Sequence, residues 1–436
     1  MRSAGTIAGK IALCFALGTG LGEIGLGPIS TSRAEVTVAI SCSSLGQEQA
    51  LCRSGAEAWA EQTGNRVTLV STPADANERL SLYQTLLAAG SPDIDVFQID
   101  VVWPGSLASH FVDLSEYIPD EALQDHFDQL LANNTVDGTL VAVPWFVDAG
   151  LLYYRKDLLE KHGQTVPATW KALTDAAEAV VEAERAAGDG ALQGFVWQGR
   201  AYEGLTCNAL EWIASQGGGS IVDAEGQVTI DNQRAVDALE LAQSWVGTIS
   251  PRGVLNYAEE DARGAFQSGR ALFMRNWPYA WALANADDSP VKGKVGVAPL
   301  PAGEVGGGQP AATLGGQQLA VSRYSEHPQE AADLVRHLTG YEEQKRRALE
   351  GSFNPTRRSL YDDRELLAAN PFYAVFLDIL KGAVARPSTV TGRRYSQVSS
   401  EFVRTVHATL SGRGTAAENI DQLGRALERL SRGGRW

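Results

Sequence analysis

The sequence predicts an α/β protein of two lobes, with the chain crossing between them three times. Three observations lead there: a strand-helix-strand-helix-strand order of patterns between residues 36 and 99, a second run of helical and strand patterns over 151–300, and Gly/Pro punctuation near 144, 301 and 355. Strands that alternate with helical runs form a parallel, doubly wound sheet, whose crossovers cover its faces with helices.

The elements follow in order. Val36, Val38 and Ile40 alternate with the period of a half-buried strand. A helix over 47–62 comes next, closed by Gly64, then a strand over 66–70. The helix over 77–89 presents Leu80, Tyr83, Leu86 and Leu87 on one face and stops at Gly90, and 94–99 is the third strand. Past Val141-Ala142-Val143-Pro144 a second lobe begins, with helices over 170–187 and 235–246 and the turn Gly217-Gly218-Gly219 between them. A strand over 295–300 enters a Gly- and Pro-rich loop over 301–310, followed by a strand over 319–322, one helix over 328–350 ended by Gly351, and a largely helical tail from Pro371. The lobes are therefore expected as 35–144 plus 301–355 and 145–300 plus 356–436.

Composition narrows the function. With 436 residues, 44% of them hydrophobic, the chain has ample material for two or three cores, which excludes a disordered protein. A net charge of −15 removes the electrostatic footing for nucleic acid or an anionic membrane surface. In residues 1–34, Arg2 and Lys10 precede an apolar run, and Ser32-Arg33-Ala34 matches a signal-peptidase site. Glycines, Glu23 and Pro28 interrupt the run, so a cleaved export signal is expected rather than a membrane span. Leu13 before Cys14 is too large for a lipoprotein acceptor site. Export places Cys42, Cys52 and Cys207 in an oxidising compartment, where Cys42 and Cys52 can close a short loop and leave Cys207 unpaired; buried free thiols are the alternative.

Open α/β sheets bind ligands outside the carboxyl ends of their strands. Asp100 directly follows the third strand, and Glu48 stands in the first turn after the first. Each also has an ordinary structural reading, as a helix cap or a complement to a helix dipole. Phosphate-loop, nucleophile-elbow and paired-histidine metal motifs are missing, and no cofactor or metal is expected. What the chain does carry is aromatics beside charged groups: Trp145-Phe146 with Asp148, Asn276-Trp277-Pro278-Tyr279 with Trp281, and Arg386-Pro387. A pyranose asks for that mixture, an apolar C–H face for an aromatic ring and a rim of hydroxyls for carboxylates and guanidinium groups. Ten tryptophans can equally serve to fill two cores.

The segment Pro144-Trp145-Phe146-Val147-Asp148-Ala149-Gly150-Leu151-Leu152-Tyr153-Tyr154-Arg155 resembles the first hinge of the trehalose/maltose-binding proteins that serve ABC sugar importers. The resemblance recurs, in the same order, in Gly194-Phe195-Val196-Trp197-Gln198-Gly199-Arg200 with Tyr202-Glu203-Gly204-Leu205, in Arg275-Asn276-Trp277-Pro278-Tyr279-Ala280-Trp281, and in Ala312-Thr313-Leu314-Gly315-Gly316. It implies a two-lobed periplasmic-binding-protein fold (type II, cluster D-like) with three hinge crossovers, and a non-enzymatic, monomeric, periplasmic protein that closes on an α-linked disaccharide and delivers it to ABC permease subunits. Carried over residue by residue, it makes Glu48, Asp100 and Asp148 hydroxyl acceptors, Trp277 the stacking platform with Tyr279 beside it, Arg386 a donor to ring hydroxyls and Gly316 a backbone contact. Arg79 corresponds to a family arginine with the spacing shifted by one residue. Gln317 and Phe146 stand where the relatives carry Trp and Tyr, a loss of one stacking face and one hydroxyl that leaves trehalose, maltose, sucrose and related α-glucosides all open. The rival from another class is a secreted glycoside hydrolase using two of Glu48, Asp100 and Asp148 as acid and nucleophile.

Overall fold

Residues 35–436, apart from Val305 and Pro371, are described by a computed structural model. The export signal expected over 1–34 lies outside the described residues.

The strands are β1 (Thr37–Ser43), β2 (Arg66–Thr72), β3 (Val96–Asp100), β4 (Thr135–Val136), β5 (Thr139–Leu140), β6 (Val143–Ala149), β7 (Leu151–Arg155), β8 (Gln193–Val196), β9 (Ala271–Asn276), β10 (Val295–Ala298) and β11 (Leu314–Val321). They assemble into a five-stranded sheet of order β2-β1-β3-β11-β6, a four-stranded sheet of order β10-β7-β9-β8, and the small β4-β5 hairpin. In the larger sheet β1 runs parallel to β2 and β3, as the alternating pattern predicts, while β11 returns antiparallel between β3 and β6.

Each lobe is organised around its sheet. On the larger one, helix Glu48–Thr63 buries Leu51, Cys52, Ala56 and Trp59 against Val38, Ile40 and Cys42 of β1. Its C-terminus is closed by Gly64 in the left-handed region, a conformation that suits a residue without Cβ. A Cys42–Cys52 disulfide with a Cα–Cα distance of 6.3 Å ties this helix to β1, and Cys207 is free and buried. On the smaller sheet, Trp170, Phe195, Trp212 and Trp245 pack ring against ring, with the Trp170–Trp245 and Trp212–Trp245 centroids 5.5 and 5.7 Å apart. Most indoles thus fill cores, the bland use anticipated for them; Trp277 is the tryptophan that lines the central cleft.

Three passages join the sheets, and two of them fall away from the expected positions. β6 pairs with β11 through Ala149, so the first change of sheet comes at Gly150 and not at 144. The loop after β10 stays with the smaller sheet's side, where Ala302 bridges Thr169 and the Gly303 and Gln309 N–H groups donate to the Ser215 carbonyl. The second change therefore lies at Thr313-Leu314 and not at 301. The third runs through Phe353 to Thr356, where the Val147 N–H donates to the Asn354 carbonyl at 3.0 Å. The single helix expected over 328–350 is two, Pro328–Leu338 and Tyr341–Gly351, because Thr339 and Gly340 break it. β11 begins earlier than the expected 319, since Leu314 to Gln318 pair with β6 despite their glycines.

Candidate ligand-binding cleft

Between the two sheets lies a cleft enclosing about 620 Å³ of space, part of it open to solvent. Glu48, Arg79, Asp100, Phe146, Asp148, Trp277, Tyr279, Gln317 and Arg386, far apart in the sequence, all line it. Gly316 does not. Its carbonyl accepts from the Val101 N–H at 3.1 Å, so it is spent on the sheet, while the neighbouring Gly315 faces the cleft. At Gly316, φ is +121° and a Cβ would stand 2.3 Å from the Phe146 carbonyl oxygen, so this position demands glycine for packing rather than for a ligand.

From the larger sheet come the acids. Asp100 ends β3, the strand buried along its whole length, and points outward from its carboxyl end as the topology rule requires. Glu48 opens its helix, is buried, and accepts from Gln98 Nε2 at 2.5 Å. Burial raises its carboxyl above the ordinary range, with the Arg79 and Arg347 guanidiniums opposing. Gln98 also reaches Gln317 Oε1 at 3.4 Å, and Gln317 Nε2 donates to Asp100 Oδ2 at 3.3 Å, so Gln317 belongs to a polar chain running from Glu48 to Asp100. Arg79 is anchored on the Pro73 carbonyl at 2.8 Å and keeps its Nε buried without a partner. Asp148, on β6, keeps Oδ1 buried without a partner as well. Burial, with Glu48 and Asp100 nearby, pushes its carboxyl up to about 8.

Aromatic groups supply the walls. Trp277 follows β9; its Nε1 reaches Glu259 Oε1 at 3.4 Å, and its carbonyl accepts from Tyr153 Oη at 2.8 Å. The Arg275 guanidinium carbon sits 3.8 Å from the indole centre, within reach of a cation–π contact. Tyr279 donates its hydroxyl to Glu260 at 2.7 Å, and its ring covers Gly46 so closely that a Cβ there would meet it at 2.8 Å. Phe146 packs edge-on to Phe353, centroids 4.9 Å apart, and both lie against the buried Arg347.

Arg386, the donor to ring hydroxyls that the resemblance implies, lines the cleft held between two acids. Nη2 bonds Asp100 Oδ1 at 3.0 Å and Nη1 bonds Glu203 Oε1 at 2.7 Å, so the guanidinium bridges an acid of one lobe to an acid of the other. Glu203 is fixed in turn by Tyr395 and by Ser399 Oγ at 2.6 Å. Nε is the Arg386 nitrogen left buried and unpaired.

Two more contacts cross the cleft. Asp75 caps helix Ala76–Ala88 with Oδ1 and pairs through Oδ2 with Arg200. Asn77 Oδ1 accepts from the Glu203 N–H at 3.1 Å, so a side chain of one lobe caps helix Glu203–Ser215 of the other, whose own N-cap, Tyr202, provides no side-chain bond. This is a closed arrangement. Since losing such a cap costs about 1 kcal/mol, Asn77→Ala should weaken any ligand that binds by closure about fivefold, read by titration calorimetry, with the unliganded melting temperature changed little. An unchanged affinity would show that the cap does not stabilise closure.

Residues 46–345 match the bacterial extracellular solute-binding proteins. The chain belongs to that family. The Probable ABC transporter-binding protein of Deinococcus radiodurans is 50% identical over 396 residues, covering 91% of this chain and 94% of that protein. Maltodextrin-binding protein MdxE of Bacillus subtilis is 26% identical over 247 residues, 56% of this chain and 55% of that one. The solved structure "Maltose bound T. maritima MalE3" superposes with a TM-score of 0.86 at 41% identity, covering 91% of this chain and all of the other (100%). The two-lobed architecture is that of a solute-binding protein.

This solute-binding protein also places in its cleft residues that sequence reasoning left without a role. Glu203 stood inside a segment carrying the resemblance but has no signal of its own, because its partner Arg386 is 183 positions away. Glu259 and Phe353 also line the cleft, one from an acidic helix start and one from a hinge passage, where neither pattern nor spacing marks them. Donors and acceptors with unsatisfied valence, an indole face and facing acids suit a neutral, hydroxyl-rich solute.

Proposed function

We propose that this protein is the sugar-capturing component of an ABC importer, exported to the periplasm as a monomer, and that its cleft shuts on an α-linked disaccharide without altering it. One observation carries the reading: the Trp277 ring and the carboxyl groups of Glu48, Asp100 and Asp148 line a single cleft drawn from both lobes. Maltose is the first candidate, because it is the ligand named for the 41% identical structure. One glucose ring stacks on Trp277, while its hydroxyls donate to Asp148 and its neighbours. The second ring meets Phe146 and Gln317, an apolar edge and an amide, and this pairing sets which disaccharide is preferred. Contacts from both lobes are complete only in the closed state, so the sugar shifts the population toward closure by its differential affinity, and permease subunits read closure as loading.

A thermal-shift panel of maltose, trehalose and sucrose tests this, since a ligand at 100 times its Kd stabilises the native state by about 2.7 kcal/mol. Trp277→Ala should cost at least about 1 kcal/mol, a five- to tenfold loss of affinity by calorimetry. A flat panel would refute sugar capture, and release of glucose in proportion to protein would favour the hydrolytic alternative.

A further inference from the structure

Beside Trp277 lies a buried ion pair whose two residues do not line the cleft. Glu211 and Arg275 are both fully buried and joined by two bonds, Nε to Oε2 at 2.8 Å and Nη2 to Oε1 at 2.5 Å. Arg275 Nη1 also donates to Gln198 Oε1 at 3.2 Å, and the pair meets three further things. The Arg275 guanidinium carbon lies over the indole, 3.8 Å from its centre. Glu211 Oε1 also accepts from the Thr313 N–H at 3.0 Å, at the second hinge passage. At the first passage, a Cβ on Gly150 would stand 2.2 Å from Glu211 Oε1 and 2.7 Å from Arg275 Nη2, so the glycine exists to let the pair press against the hinge.

An ion pair is an expensive way to fill a core, because an apolar pair of similar size packs there without the loss of solvation. Its retention at the meeting point of two hinge strands and the ligand platform calls for another role. We infer that Glu211 and Arg275 are positioning residues that fix the Trp277 ring in its sugar-accepting orientation and tie that orientation to the hinge at Gly150 and Thr313. As the hinge strands change course, Glu211 follows Thr313, Arg275 follows Glu211, and the indole tilts with the guanidinium against it. Platform orientation and lobe closure are thereby one coordinate. This rests on the reading of Trp277 as the sugar platform.

The test separates structure from positioning. Removing one partner strands a buried charge and can unfold the protein, so the informative variant is the double replacement Glu211→Leu with Arg275→Met. It should stay folded, its melting temperature lowered by no more than the loss of the Thr313 N–H bond accounts for, yet bind maltose at least tenfold more weakly. Arg275→Lys in the otherwise native chain, which keeps the charge but loses the flat fork, should give an intermediate loss. Native affinity in the double variant overturns the inference. If the parent itself binds no disaccharide, the sugar reading fails and the inference is decided on unliganded protein: the near-UV circular dichroism due to Trp277, taken as parent minus Trp277→Phe, should collapse in the double variant, and its survival overturns the inference.

Discussion

Replacing Arg386 with methionine should cost about 3–5 kcal/mol of stability, seen as a lower urea midpoint for the protein held closed by saturating sugar, because there it leaves two acids buried without their shared cation. Asp100 and Glu203 reach Arg386 from opposite lobes and are themselves nearly buried, so neither has water enough to take its place. The same change should weaken maltose, since the bridge draws the carboxyl end of β3 toward helix Glu203–Ser215. A stability loss below about 1 kcal/mol would mean that both carboxylates find solvent when the cation is gone, as exposed pairs do.

Asp148→Asn should do the opposite to stability. Burial, reinforced by Glu48 and Asp100, holds the Asp148 carboxyl at about 8 in the fold against an ordinary 3.8. Between those values the folded group keeps its proton while the unfolded one releases it. Stability therefore falls as pH rises from about 4 to about 8 and is level above that. Asparagine does not titrate, so the variant should gain on the parent across that window by several kcal/mol, on the order that such a shift implies. Sugar affinity should fall at the same time, because the amide puts an NH2 donor where the carboxyl has a second oxygen, and a sugar hydroxyl that donates to that oxygen loses its acceptor. Gaining stability while losing binding is the signature of a group kept for its ligand. A stability difference that does not change with pH would show that Asp148 is ionised and solvated in the fold.

Much of this site was legible in the sequence, and the reasons are local. The β-α-β-α-β pattern places Glu48 and Asp100 at the carboxyl edge of a parallel sheet, and β1 to β3 form as that pattern predicts. The Pro144 punctuation places the first change of sheet six residues early, because the break at Gly150 is set by the Glu211–Arg275 pair pressing on it from far along the chain. β11 hides for a related reason: the glycine that Phe146 demands at 316 erases the alternation that marks a strand. Arg386 was found through the resemblance, but its engagement by Glu203 depends on residues far apart in the chain, and only the fold brings them together. Thr339-Gly340 divides a helix whose apolar spacing continues on both sides, so periodicity alone reads it as unbroken.

The most direct measurement is a crystal structure of residues 35–436 with maltose, or with whichever α-linked disaccharide shifts the melting temperature most. The expected result is a glucose ring stacked on the face of Trp277 away from Arg275, with its hydroxyls on Asp148 and the second ring against Phe146 and Gln317. A sugar seated elsewhere, or a cleft in which Trp277, Asp100 and Asp148 do not share the guest, would contradict it.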